Sequence, residues 1–303
     1  MKKLILCIII LLAMSGCVNL ATEHSDKTII RVAYLPITHS IALMMMEEFN
    51  DEGSPYQIEL IRFTTWPDVV DALRTGRVDG ASILFEVALQ ARNVDDGLVL
   101  LGLSHRDGNV IVVDNSIESY QDLIGKIVAI PHRLSPQNTL LQMVLKRENI
   151  SPYDIQIIEI SPAEMPFSMA SGSIAAYIVA EPFGAIAENA GVGRVIETSD
   201  QISSYSVCCV LVFRDESIAS PSLHTWLLES FATAAEAAHK RNYRVVNTFM
   251  EHARLTADVV ERALENTRFE DLQFTQEEYN EITAAIISHG ILESIPLFEE
   301  FIY

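Results

Sequence analysis

Four short segments of this 303-residue chain gather side chains able to hold a small polar molecule. Pro36-Ile37-Thr38-His39-Ser40 follows the strand-like run Ile29–Leu35, and Thr64-Thr65-Trp66-Pro67-Asp68 follows Gln57–Phe63. Pro131-His132-Arg133-Leu134-Ser135-Pro136-Gln137-Asn138 follows Ile127–Ile130, and Ala180-Glu181-Pro182-Phe183 follows Ala175–Val179. The chemistry on offer is hydrogen bonding, charge and stacking. Ser135 stands at a helix N-cap with Pro136 in the first helical position, and Thr65 with Asp68 has capping-box spacing. Such helix starts aim N–H groups at a sulfonate, carboxylate or carbonyl oxygen. Glu181 directly follows an apolar run, so burial there demands a partner.

Each residue also has a purely structural role open to it. Ser135 and Thr65 can act as caps alone, His39 and His132 can be packed or solvated rings, and Trp66 can be core. Covalent chemistry is less supported. The chain has no Gly-x-Ser-x-Gly elbow, phosphate loop, Gly-x-Gly-x-x-Gly fingerprint or His-Glu-x-x-His helix. His39, His132 and Glu181 lie on three separate loops without close metal-ligand spacing. We therefore expect no catalytic residue, no cofactor and no metal.

The elements that must position these residues alternate between strand and helix. Further strand-like runs are Gly80–Leu84, Leu98–Leu103, Asn109–Val113, Ile155–Ile160 and Ser206–Phe213. Helical spacing falls at Ser40–Asn50, Pro67–Thr75, Pro136–Glu148, Pro162–Ala170 and Pro182–Ala190. Alternation of this kind predicts an α/β fold with parallel sheets. After Pro221 the pattern predicts helices only, at Ser222–Asn247, Thr256–Thr267 and Thr275–His289. A helix, a glycine stop and a buried strand occur at Asp71–Ile83 and again at Ser168–Val179, which points to two similar lobes.

Charge and cysteines narrow the setting. With 21 Lys and Arg against 41 Asp and Glu, the net charge of −20 disfavours nucleic acid and anionic lipid as partners. Lys2 and Lys3, the apolar run Leu4–Met14 and Ser15-Gly16-Cys17 have the form of a secretory signal ending in a lipoprotein box, with Cys17 lipidated. Residues 18–27 then form a tether, and the membrane is met through the lipid anchor only. Adjacent Cys208 and Cys209 are expected to be free, buried thiols pointing to opposite faces of a strand.

The junction residues, together with Ala33-Tyr34-Leu35, Ala72 through Gly80, Gly184-Ala185 and the ending Gly290–Ile302, resemble one family. It is that of substrate-binding lipoproteins of ABC importers for nitrate, sulfonates, taurine and related organics. These share a fold with the thiamine-pyrimidine synthesis proteins. The resemblance implies a two-lobed, periplasmic-binding-protein-like fold of type II with two hinge strands and a helical tail packed on the first lobe. Lobe 1 would comprise 28–112 and 212–303, and lobe 2 would comprise 113–211. The crossings would lie near Asn109–Val113 and Val207–Phe213.

The same resemblance implies a monomer that captures a small molecule and delivers it to an ABC importer permease. It would sit on the outer face of the cytoplasmic membrane or in the periplasm. Pro36, Thr38, His39, Trp66, Phe85, Arg133, Ser135, Gln137, Asn138, Glu181 and Cys208 would line the ligand cleft. Gln137 stands where nitrate binders carry His, and only two cysteines stand where the pyrimidine-synthesising enzymes carry a longer run. A sulfonate, a zwitterion or a small heterocycle is then the expected ligand. A pyrimidine-precursor enzyme and a metal-binding lipoprotein are the alternative readings.

Overall fold

A computed structural model describes residues 27–94, 97–203 and 207–302. The signal segment, Cys17 and tether positions 18–26 lie outside the described residues. The strands are β1 (Thr28–Tyr34), β2 (Tyr56–Arg62), β3 (Gly80–Leu84), β4 (Leu98–Leu103), β5 (Arg106–Asp107) and β6 (Asn109–Val113). They continue as β7 (Ile127–Ile130), β8 (Gln156–Glu159), β9 (Ala176–Ala180), β10 (Arg194–Thr198), β11 (Cys209–Arg214) and β12 (Thr267–Arg268).

Two five-stranded sheets result, in the orders β2-β1-β3-β11-β4 and β8-β7-β9-β6-β10. The two sheets repeat one pattern. In each, the first three strands pair in parallel, as β1 with β2 and β3, or β7 with β8 and β9. A fourth strand, β11 or β6, then joins antiparallel and pairs antiparallel with the edge strand β4 or β10. The glycine stops of the repeated segment fall at Gly76 and Gly172, both in left-handed backbone just after a helix.

The sheets are therefore mixed, whereas alternation alone predicts parallel ones. The antiparallel members are the strands next to the crossings. The chain leaves the first sheet after Leu103 and joins the second at Asn109, then returns between Thr198 and Cys209. β6 and β11 thus belong wholly to one sheet each, and the crossings lie just ahead of them. Asp107 and Gly108, both left-handed, make the first of these turns.

Every residue of β3, β6 and β9 is buried, which explains their predominantly apolar sequences, broken only by Ser82 and Asn109. Helix Pro221–His239 lays Leu223, Leu227 and Phe231 over Ile30, Val32 and Met44, so the helical tail packs on the first sheet. The single helix expected over Ser222–Asn247 is instead two, Pro221–His239 and Tyr243–Ala253. Arg241 turns left-handed, and the Asn242 side chain accepts the N–H groups of Arg244 and Val245 to start the second. Helix Phe85–Val94 and strand β10 escape the sequence pattern, and no helix among the described residues is long and apolar enough to cross a membrane.

Candidate functional site

The junctions after β1 and β4 and the chain entering β11 converge on a buried knot. His39, in the short turn Thr38–Ser40, stacks on His105 with ring centres 3.5 Å apart. Cys209 Sγ lies 3.6 Å from His39 Nδ1 and 4.0 Å from Cys208 Sγ, and the Cys209 N–H donates to His105 Nε2 at 3.1 Å. The two thiols are free and buried as expected, but they meet rather than diverge. β11 begins only at Cys209, so the alternation of a strand does not extend to Cys208.

Gly108 allows this knot to close. A Cβ there would stand 2.6 Å from Thr267 Oγ1 and 2.8 Å from His39 Nε2. Burial, then the neighbouring His39, lowers the pKa of His105 to about 4, so its ring is neutral. Burial opposes ionisation of Cys208, but the Cys209 thiol and the imidazole of His39 outweigh it and hold Cys208 low. Burial and then the Cys208 thiol push Cys209 up.

The second sheet meets the knot through helix Pro136–Arg147. Ser135 caps it by accepting the Asn138 N–H at 3.1 Å, as its position predicts. That N–H is therefore engaged within the cap. Gln137 Nε2 donates to Asn109 Oδ1 at 2.7 Å and to Cys208 Sγ at 3.3 Å. The Asn138 amide donates to the Arg133 carbonyl and accepts from Gln142.

Two buried carboxyls flank this line. The backbone carbonyl of Glu181 accepts from the Thr38 N–H at 2.9 Å and the Thr38 hydroxyl at 3.2 Å, joining the two sheets. Its side chain accepts from the Ala185 N–H and the Asn266 amide, which are the partners its burial requires. Burial raises its pKa to about 7, against the lowering effect of those donors. Glu86, from the first turn of helix Phe85–Val94, accepts the Thr139 hydroxyl at 2.8 Å, and burial raises its pKa to about 8.

The remaining candidates divide. Trp66 caps nothing and is 3% exposed, and its indole N–H has no partner among the described residues. It lines a cavity of about 290 Å³ that His132 and Leu134 of the second sheet also border. Phe85 lies in an aromatic cluster with Phe274 and Tyr279, and Pro36 is half-buried ahead of the His39 turn. Arg133 is not brought to the cleft. Its side chain is 77% exposed and pairs with Glu159 at 3.7 Å, because its backbone N–H is fixed outward on the same carboxylate.

Sequence reasoning missed His105, Asn109, Glu86 and Thr139. A weaker form of the signal that singled out Glu181 was available for His105, which stands two residues after the apolar run Leu98–Leu103.

The profile of the NMT1-like family matches residues 23–247 of this chain. The ligand-binding component of an ABC-type import system from Staphylococcus aureus, solved with zinc bound, is 32% identical with a TM-score of 0.82. The match covers 91% of this chain and 97% of that one. The alkanesulfonate-binding protein SsuA from Xanthomonas axonopodis pv. citri, bound to MOPS, is 18% identical with a TM-score of 0.76, over 91% and 98% of the two chains. The nitrate import ATP-binding protein NrtC of Synechocystis sp. is 25% identical over 242 residues. That match covers 72% of this chain but 36% of NrtC, so the chain spans little more than a third of that relative's length. The architecture is thereby the two-lobed periplasmic-binding-protein fold.

Proposed function

The chain belongs to the NMT1-like family, and on that footing we propose that it is the extracytoplasmic solute-binding component of an ABC importer. It captures a small organic molecule between its lobes by hinge closure. The observation that carries this reading is the set of polar contacts between the two sheets. Thr38 meets Glu181, Gln137 meets Cys208, and Glu86 meets Thr139, all buried and all beside the two crossings. Contacts of this kind join the lobes beside the crossings, and residues 104–108, 199–203, 207 and 208 are where the chain would flex.

The lobes in this reading are 28–103 with 209–302, and 109–198. The cavity bordered by Trp66, His132 and Leu134 has the size of a small organic solute and walls from both lobes. Trp66 offers an apolar wall, which suits the organic part of a sulfonate, a zwitterion or a small heterocycle. Lipidation at Cys17 would hold the protein at the membrane beside its permease, and it would act there as a monomer.

The test is thermal shift and tryptophan fluorescence against alkanesulfonates, taurine, nitrate and bicarbonate, alongside mass spectrometry of small molecules released on denaturation. A bound solute at several hundred times its Kd should add about 3–4 kcal/mol of stability. Steady product formation from the solute would replace this reading with an enzymatic one.

A further inference from the structure

The knot at the crossings has a composition and spacing that solute capture does not use. His39, His105, Cys208 and Cys209 each offer one ligand atom, and these atoms all lie within 4.8 Å of one another. All four residues are fully buried. His39 Nε2 and His105 Nδ1 have no hydrogen-bond partner among the described residues, an expensive condition for buried imidazoles.

Two of the distances approach the edges of a coordination polyhedron, and the stacked rings of His39 and His105 would have to turn apart to aim their nitrogens at one ion. Tetrahedral zinc, with Zn–S of about 2.3 Å and Zn–N of about 2.0–2.1 Å, sets sulfur–sulfur edges of about 3.8 Å and sulfur–nitrogen edges of about 3.6 Å. Cys208 and Cys209 stand 4.0 Å apart, and Cys209 stands 3.6 Å from His39 Nδ1, the nitrogen that would ligate. We propose that these two histidines and two cysteines form a binding site for a zinc-class divalent metal ion at the floor of the cleft. Two thiolates and two imidazoles select a soft or borderline ion over magnesium or calcium, and the two thiolate charges balance the ion.

The site belongs to the first lobe and the crossings. His39 follows β1, His105 stands in the first crossing, and the cysteines end the second. An ion there ties both crossings to the first sheet. Binding releases the thiol protons, and the ion replaces the weak sulfur contacts. From the second lobe, Gln137 donates to Cys208 Sγ and becomes an outer partner of the metal–thiolate bond.

The experiment uses full-length protein without a metal-affinity tag, stripped with chelator and titrated with cobalt(II), then zinc(II). One equivalent of cobalt should give the visible bands of a four-coordinate ion and a near-ultraviolet thiolate-to-cobalt band, both abolished by zinc. Cys208→Ser and His105→Gln, with folding checked by circular dichroism, should each weaken binding by more than the roughly 10–100-fold typical of outer-shell losses. His239→Gln, on the surface beside Glu270, should leave the titration unchanged. Wild-type protein that shows only six-coordinate cobalt without the thiolate band overturns the proposal, whatever the variants do. Folded Cys208→Ser and His105→Gln variants with wild-type affinity also overturn it.

Discussion

Gln137 and Cys208 meet across the two sheets, with the amide nitrogen 3.3 Å from the sulfur and both residues buried. Gln137 stands in the first turn of its helix because Ser135 caps it and Pro136 opens it. Gln137→Ala removes this donor and also the partner of Asn109 Oδ1, a change worth about 1–3 kcal/mol for buried groups. If closure carries that energy, affinity for the solute should fall roughly 5–150-fold, while the stability of each lobe alone changes less. Isothermal titration with the solute checks this, and unchanged affinity would remove the contact from closure.

Glu86 should make a contribution to stability that falls as pH rises. Its pKa is raised from the ordinary 4.5 to about 8 by burial. Between those values the folded chain holds a proton that the unfolded chain has released, so the slope of stability with pH is negative. The stabilisation is complete below about 4.5 and lost as pH passes about 8. Glu86→Gln keeps an acceptor for Thr139 and should flatten the profile of Tm between these limits. Glu181, whose pKa is raised to about 7 for the same reason, contributes in the same direction, and His105, lowered from 6.5 to about 4, contributes in the opposite one. A variant with the wild-type slope would assign the effect elsewhere.

The repeated architecture was legible because it rests on local rules. Gly76 and Gly172 stop helices, and the apolar runs of β3 and β9 follow at the same interval. The caps Ser135 and Thr65 were legible for the same reason. What escaped depends on partners distant in sequence. β11 and β6 read like any buried strand, and nothing in Val210–Phe213 says that its neighbours run antiparallel. His105 meets His39 across 66 positions and Cys209 across 104, so the knot emerges only once the crossings bring them together. Arg133 stands apart from the knot because local sequence supplies its charge but not the direction in which Glu159 draws it.

Membrane attachment should depend on one atom. Cys17→Ser removes the sulfur that would carry the lipid, and the described residues contain no helix long and apolar enough to replace it. Fractionation after salt and carbonate washing should find this variant soluble and the wild-type chain in the membranes. Retention of the variant would mean that the apolar segment itself is the anchor.

Trp66 should report and support solute binding, whereas Trp226, the other of the two tryptophans, should do neither. Trp226 lies half-buried on the far side of the first lobe, tilted against Tyr56 at 5.4 Å. Trp66 instead opens its helix at the cavity it shares with His132 and Leu134, with its N–H unmatched by any described residue. A solute placed there would change the polarity around the ring, so emission should shift on binding. Trp66→Ala should lose that signal and about 2–4 kcal/mol of affinity, the range of a buried aromatic anchor. Trp66→Phe keeps the flat wall but loses the donor, so it should fall between the two. Stopped-flow and equilibrium titration of wild type and both variants separate these terms. If Trp66→Ala binds the co-purifying solute as tightly as wild type, Trp66 is core and the solute sits deeper, against Gln137 and the crossings.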